Sequence, residues 1–191
     1  PTSNEIGVVK VSSVSWGEYD EQESKTCTDL DRVNEALFVR PGDFLFSRAN
    51  TIELVGACVI ASTVTLRVML SDKILRFIFV VDGLNKWLLF LLRSDLGRFQ
   101  IEALASGNQE SMRNIGQERI RQIAVPLPPP EEIEQILVTL DQCFEAAFTQ
   151  AKAIEYGLKQ SSAQRQNILK AAFSGQLVPQ DPNDEPASVL L

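Results

Sequence analysis

Between Pro128-Pro129-Pro130 and Ser174-Gly175 the chain runs without a single proline, and its apolar or small residues recur at alternating intervals of four and three. The series is Ile133, Leu137, Leu140, Phe144, Ala147, Ala151, Ile154, Leu158, Ser161, Arg165, Ile168 and Ala172. That spacing is a heptad seam, broken only at Ser161 and Arg165. Glu131 and Glu132 suit the positive end of a helix dipole, Ser174-Gly175 is a stop signal, and Gly157 costs about 1 kcal/mol without forbidding a helix. A continuous helix over 131–174 is therefore expected, about 65 Å long at 1.5 Å per residue. A rod longer than a small domain is wide leaves its seam uncovered. Ile133, Leu137, Leu140, Phe144, Ala151, Ile154, Leu158 and Ile168 are its expected pairing surface, and the partner helix comes from a second copy or from a further segment.

Upstream the rhythm differs. Gly7–Val14, Ala36–Val39, Phe44–Phe46, Leu54–Ala61 and Ile74–Val81 are rich in β-branched and apolar residues, and Arg40-Pro41-Gly42-Asp43 reads as a turn before Phe44. From Asn85 to Leu104 the apolar spacing becomes helical, with an N-cap signal at Ser94-Asp95 and Gly107 beyond the end. A short helix over Gln117–Ile123 and a strand over Ile123–Leu127 follow, and 106–114 reads as a loop. The expected fold class is α+β: a mixed, β-rich globular domain over 1–127, the coiled-coil-forming helix over 131–174, and a tail over 175–191.

The 191 residues carry a net charge of −7, which argues against an indiscriminate polyanion binder. The charge is uneven, however: Glu18–Glu35 has a net of −5, whereas Arg48–Arg121 has a net of +3. The middle of the chain is the part suited to face a polyanion. Cys27, Cys58 and Cys143 lie far apart and outside any C-x-x-C spacing, so free thiols in a reducing cytosol are expected. No signal peptide is apparent and no apolar run is long enough to span a bilayer, so the expected location is cytoplasmic. Because the sequence starts at Pro1 and not at Met, an upstream segment is expected to be missing.

The chain has no histidine, which removes H-E-x-x-H metal sites, Ser-His-Asp triads and Cys-His pairs. G-x-G-x-x-G, G-x-x-x-x-G-K-[ST] and [NDS]-P-P-[YFW] are also missing, and no carboxylate pair stands out. No catalytic residue, bound metal or bound cofactor is expected; recognition or assembly remains.

Four stretches carry a resemblance. In order, PGDFLFSRANTIELVG, LSDKILRF, LLRSDLGRFQIEALASGNQESMRNIGQERIRQIAVPLPPPEE and ILKAAFSGQLVPQDPNDEPASVLL resemble a target recognition domain and the conserved helix that follows it in specificity subunits of type I restriction-modification systems. The match runs from about Arg40 to the end. The resemblance implies a non-catalytic subunit that reads one half-site of a bipartite target in double-stranded DNA. It also implies docking to modification subunits, which methylate adenine with S-adenosylmethionine, and through them to ATP-driven restriction subunits. Whole subunits of this family have two recognition domains and two antiparallel spacer helices. One of each is present here, with a short entry strand before Glu5, so the chain looks like half a subunit, expected to pair as a homodimer.

Segments shared by proteins that read different sequences are poor base readers. Arg48 and Asn50 are therefore expected to fix a loop or touch phosphate. Base contacts are expected from stretches without resemblance: Lys10 to Glu23, with Ser12 and Trp16, and Ala61 to Lys73, with Thr65, Arg67 and Lys73. Asn108, Gln109, Arg113 and Asn114 either hold their loop or touch DNA. Two other readings stay open: a coiled-coil adaptor whose globular part binds protein, and the recognition portion of a fused DNA methyltransferase.

Overall fold

The computed structural model describes residues 1–2, 4–81, 83–109, 112–179, 181, 183, 185 and 189. The fold is α+β and divides into two compact units, Pro1–Ile133 and Glu134–Leu191.

The first unit contains three small sheets. β1 (Ile6–Val9) lies between β2 (Ser24–Thr26), antiparallel to it, and β6 (Arg67–Met69), parallel to it. β3 (Phe44–Ser47) is the centre of the second sheet, with β5 (Cys58–Ile60) and β7 (Ile74–Phe77) antiparallel on its two sides. β4 (Ala49–Asn50) pairs with β9 (Met112–Asn114), which pairs in turn with β8 (Ser106–Gln109). Two helices, α1 (Leu84–Arg93) and α2 (Asp95–Leu104), meet at Ser94, and a short α3 (Gln117–Ile120) follows the third sheet.

The unbroken apolar run at 44–46 follows from the position of β3, because a strand covered on both faces has no place for an alternating polar residue. Leu45 points into one core with Val9, Val59 and Val68, while Phe44 and Phe46 point into another with Leu92, Ile101 and Ile115. Phe77 stacks on both phenylalanines, with ring centroids 5.3 Å from Phe44 and 5.2 Å from Phe46. Complete burial of each such side chain contributes about 1.5–3 kcal/mol. Burial also pushes the thiol of Cys58 up to about 12, against the lowering effect of Arg93.

The turn at 40–43 forms where the sequence places it: Asp43 N–H donates to the Arg40 carbonyl at 3.0 Å and its carboxylate accepts the Arg40 N–H at 2.8 Å. That carboxylate also pairs with Arg76 at 2.9 Å. Arg76 in addition donates to the carbonyls of Ala36 and Phe38. The break between α1 and α2 is likewise the expected one, with Ser94 Oγ accepting from Gly97 N–H at 3.4 Å.

Several local expectations are corrected. The first strand ends at Val9, and 11–13 form a 3-10 turn in which the Ser13 hydroxyl donates to the Glu23 carbonyl instead of the chain continuing a ladder. Residues 35–37 form another 3-10 turn, leaving only Phe38 bridged to Met69. The segment 54–61 begins as a turn and becomes a strand at Cys58, and β7 stops at Phe77. Within 106–114, residues 106–109 and 112–114 are strands paired with each other, and 112–114 also pair with β4, far away along the chain; their mostly polar residues hide this in the sequence. Residues 123–127 are not a strand. The side-chain amide of Gln100 brackets Ala124, accepting its N–H at 2.7 Å and donating to its carbonyl at 3.2 Å, and Trp87 donates to the Pro126 carbonyl at 2.9 Å. Side chains there take the place of a neighbouring strand.

The long helix, α4, spans Pro130–Phe173. Pro130 opens it, since a first helical residue needs no N–H partner, and the Pro129 carbonyl accepts from Glu132 and Ile133. It ends in a Schellman arrangement: Gly175 at φ 68° lets Gln176 N–H reach the Ala171 carbonyl at 2.8 Å and Gly175 N–H the Ala172 carbonyl at 3.2 Å. In the second unit Ile154 and Leu158 are each 64% exposed and Ile168 is 58% exposed. Leu137 and Leu140 are half-buried. Among the described residues no helix is long and apolar enough to cross a membrane. Of the tail at 175–191, residues 180, 182, 184, 186–188, 190 and 191 lie outside the described set.

Candidate nucleic-acid interface

Strand alternation sorts the residues of the first sheet. Val9 and Ser24 face inward, while Val8 and Lys25, paired across β1 and β2, face outward. One step further along, Lys10 N–H donates to the Glu23 carbonyl at 3.0 Å, so Lys10 and Glu23 stand opposite each other. Lys10, Ser12 and Lys25, with Ser71 and Lys73 from the β6–β7 turn, line an open groove of about 410 Å³. Asp72 is also on its wall.

The groove connects to the third sheet through the backbone. Arg48 N–H donates to the Lys73 carbonyl at 2.9 Å, and the Arg48 carbonyl accepts from Ile115 at 2.9 Å. Arg48 Nε reaches Asn114 Oδ1 at 3.4 Å. Asn50 pairs with Arg113 across β4 and β9, and its Oδ1 accepts from Thr51 N–H at 2.9 Å. Arg113 donates to the Gly107 carbonyl at 2.9 Å, while its buried Nε has no partner among the described residues. Gln109 is exposed at the end of β8, and Asn108 precedes it in the same strand. Lys10, Ser12, Lys73, Arg48 and Asn114 are thus linked by direct contacts and a shared groove, with Asn50, Arg113, Asn108 and Gln109 on the adjoining sheet.

Lys25 was not among the expected residues. It sits inside the acidic stretch 18–35, which hides a lone lysine in any window average. The pattern Ser24 buried, Lys25 exposed within a short strand is the signal that would have found it.

Among the described residues no group of Cys, Asp and Glu is placed to hold a metal ion. No protein-family model matches the chain. It is, however, similar to curated proteins. It is 32% identical over 148 residues to the type I restriction enzyme EcoEI specificity subunit of Escherichia coli, a match covering 76% of this chain and 25% of that protein. It is 26% identical over 186 residues to the EcoKI specificity subunit of Escherichia coli strain K12, covering 94% of this chain and 39% of the relative. A third, the EcoAI specificity subunit of Escherichia coli, is 41% identical over 61 residues, 32% of this chain and 9% of that protein. This chain belongs to the specificity subunits of type I restriction enzymes.

The specificity-subunit chain spans a quarter to two fifths of the length of the first two relatives, 25% and 39%. Three further expected contact residues, Trp16, Arg67 and Thr65, also have partners within the fold. Trp16 Nε1 donates to the Glu53 carbonyl at 2.8 Å and its ring lies 4.6 Å from the Arg98 guanidinium. Arg98 itself donates to the carbonyls of Val55 and Ile52 at 2.6 and 3.0 Å, so Trp16 and Arg98 together close the turn at 51–56. Arg67 lies over the Phe38 ring at 5.2 Å. Thr65 is held by Glu21, whose carboxylate accepts from the Thr65 hydroxyl, from Thr65 N–H at 2.7 Å and from Leu66 N–H at 3.1 Å.

Glu21 makes this specificity-subunit fold sensitive to acid. Burial raises its pKa, but the Thr65 hydroxyl and the two N–H groups outweigh that and hold the carboxyl below its usual value of 4.5. A folded-state pKa below the unfolded one gives stability above the unfolded value that is lost as pH falls through the folded one. Glu21→Gln is therefore expected to lower stability at neutral pH by up to about 1 kcal/mol, limited by solvent screening, and to converge on the wild type at acid pH, below the folded-state pKa of Glu21. Urea midpoints at the two pH values check this; an equal gap at both would show that the charge of Glu21 is irrelevant.

Proposed function

We propose that this chain is a DNA-recognition element without catalysis of its own, in which the unit 1–133 reads one half-site of a bipartite target. The observation that carries this reading is the cationic strip of Lys10, Lys25, Lys73 and Arg48, gathered on one groove and its rim in a chain whose net charge is −7. Lysine and arginine supply phosphate contacts, which position a protein on a duplex. Asn114, Gln109 and Asn50 on the adjoining sheet carry amides of the kind that pair with adenine edges.

The long helix is proposed as the assembly element. Two copies pair antiparallel along the seam, and the pair docks modification subunits, which supply S-adenosylmethionine-dependent methyl transfer and recruit ATP-driven restriction subunits. A two-fold pair reads two-fold related half-sites, so the proposed target is an interrupted inverted repeat.

The test is a gel-shift and methyl-transfer assay with and without the modification subunit of the same system. The chain alone is expected to bind DNA weakly and to transfer no methyl groups. With its partner it is expected to select one sequence, with affinity falling steeply as salt rises. Methyl transfer by the chain alone would overturn the non-catalytic reading. A partner complex without any DNA affinity would favour the adaptor reading, which the exposed apolar residues of α4 also suit.

A further inference from the structure

We propose that Glu23 stands in the free protein where a DNA backbone phosphate will sit, and that the duplex displaces it; this rests on the groove being the DNA-binding surface. A single carboxylate oxygen, Glu23 Oε2, accepts from Lys10 Nζ at 3.2 Å and from Ser12 Oγ at 2.6 Å. An ammonium and a hydroxyl converging on one anionic oxygen is the arrangement these side chains offer to a phosphate. Position matters as much as chemistry. Glu23 lies opposite Lys10, just before β2, and its carboxylate is held by Lys10 and Ser12, both of which line the groove beside Lys25.

The pair is not needed to hold the fold. Its side chains are 37% and 43% exposed, and ion pairs so open to solvent contribute little. The backbone of Glu23 is fixed separately, its carbonyl accepting from Lys10 N–H and from the Ser13 hydroxyl. The side chain is therefore able to swing away while the 3-10 turn at 11–13 stays in place. Its effect is to cancel one cation of the strip until a phosphate replaces it, which holds down sequence-independent affinity. An exchange of one anion for another at Lys10 releases no net counterion, so Lys10 adds nothing to the salt dependence while Glu23 is present.

The experiment measures binding of the full chain to a mixed-sequence duplex across a salt series. Each phosphate neutralised steepens the plot of log affinity against log salt by about 0.9. Glu23→Gln is expected to steepen it by about that amount and to bind about tenfold tighter at 50 mM salt, with an unchanged melting temperature. The double variant K10Q/E23Q is expected to return to the wild-type slope, since cation and stand-in are both gone. Lys25→Ala reports on the groove itself and is expected to flatten the slope by about 0.9. If Lys25→Ala flattens the slope and Glu23→Gln leaves it unchanged, the groove binds DNA and the stand-in role is wrong. A lower melting temperature for Glu23→Gln with an unaltered slope would assign the pair a purely structural role. If no variant changes the slope, the groove is not the DNA surface and both readings fall.

Discussion

Gly97→Ala is expected to destabilise the first unit by about 3 kcal/mol, near the upper end of what one added methyl group does in a packed interior. Gly97 is in the first turn of α2, where a Cβ would stand 2.2 Å from the Leu91 carbonyl oxygen and 2.6 Å from Leu92 Cα. Both atoms belong to the backbone of α1, so no rotamer change relieves the clash. The carbonyl oxygen of Leu91 is itself fixed, accepting the Ser94 hydroxyl at 2.7 Å. Relief requires the two helices to separate, which pulls the fully buried Leu92 and Ile101 off Phe44 and Phe46. Gly17→Ala is the control, since a Cβ there meets nothing within 4 Å; it is expected to stay within about 0.5 kcal/mol of wild type. Urea unfolding measures both, and a Gly97→Ala midpoint equal to that of Gly17→Ala would mean that the close approach of the two helices is not required.

On the proposed pairing of the long helix, replacing Leu137 and Leu140 together with aspartate is expected to abolish association. Burying a leucine contributes about 1.5–3 kcal/mol, and each pair of helices would lose four. The dissociation constant is then expected to rise by at least about four orders of magnitude, at 1.4 kcal/mol per tenfold. Sedimentation should show monomers at concentrations where the parent chain is paired. Thr139→Asp, off the seam and bonded to the Gln135 carbonyl at 2.8 Å, should leave pairing intact. A double-aspartate variant that still pairs would place the interface elsewhere.

The parts legible in the sequence are those decided by neighbours along the chain. The helix at 130–173, its proline start and its glycine stop, the cap at Ser94 and the turn at 40–43 all depend on residues within a few positions of one another. The buried strand at 44–46 was legible because double-sided burial demands an uninterrupted apolar run. The short strands fared worse. β2, β4, β6, β8 and β9 are two to four residues long, too short for alternation to rise above noise, and β4, β6 and β9 depend on strands far away along the chain to complete their hydrogen bonds.

The candidate site divides in the same way. Sequence alone set the expectations: the missing histidine and phosphate-cradle motifs turned them toward recognition and assembly, and the heptad spacing turned them toward a partner helix. Tertiary structure decided which polar side chains are offered outward. Thr65, Trp16 and Arg67 stay exposed like Lys73, but each has a partner of its own, Glu21 for Thr65, the Glu53 carbonyl and Arg98 for Trp16, and the Phe38 ring for Arg67. Lys25, submerged in an acidic run, is turned outward by strand alternation beside Lys10. The reason is physical: a side chain's charge is a property of its residue, but its availability depends on which partners, tens of positions away, the fold brings within hydrogen-bonding distance.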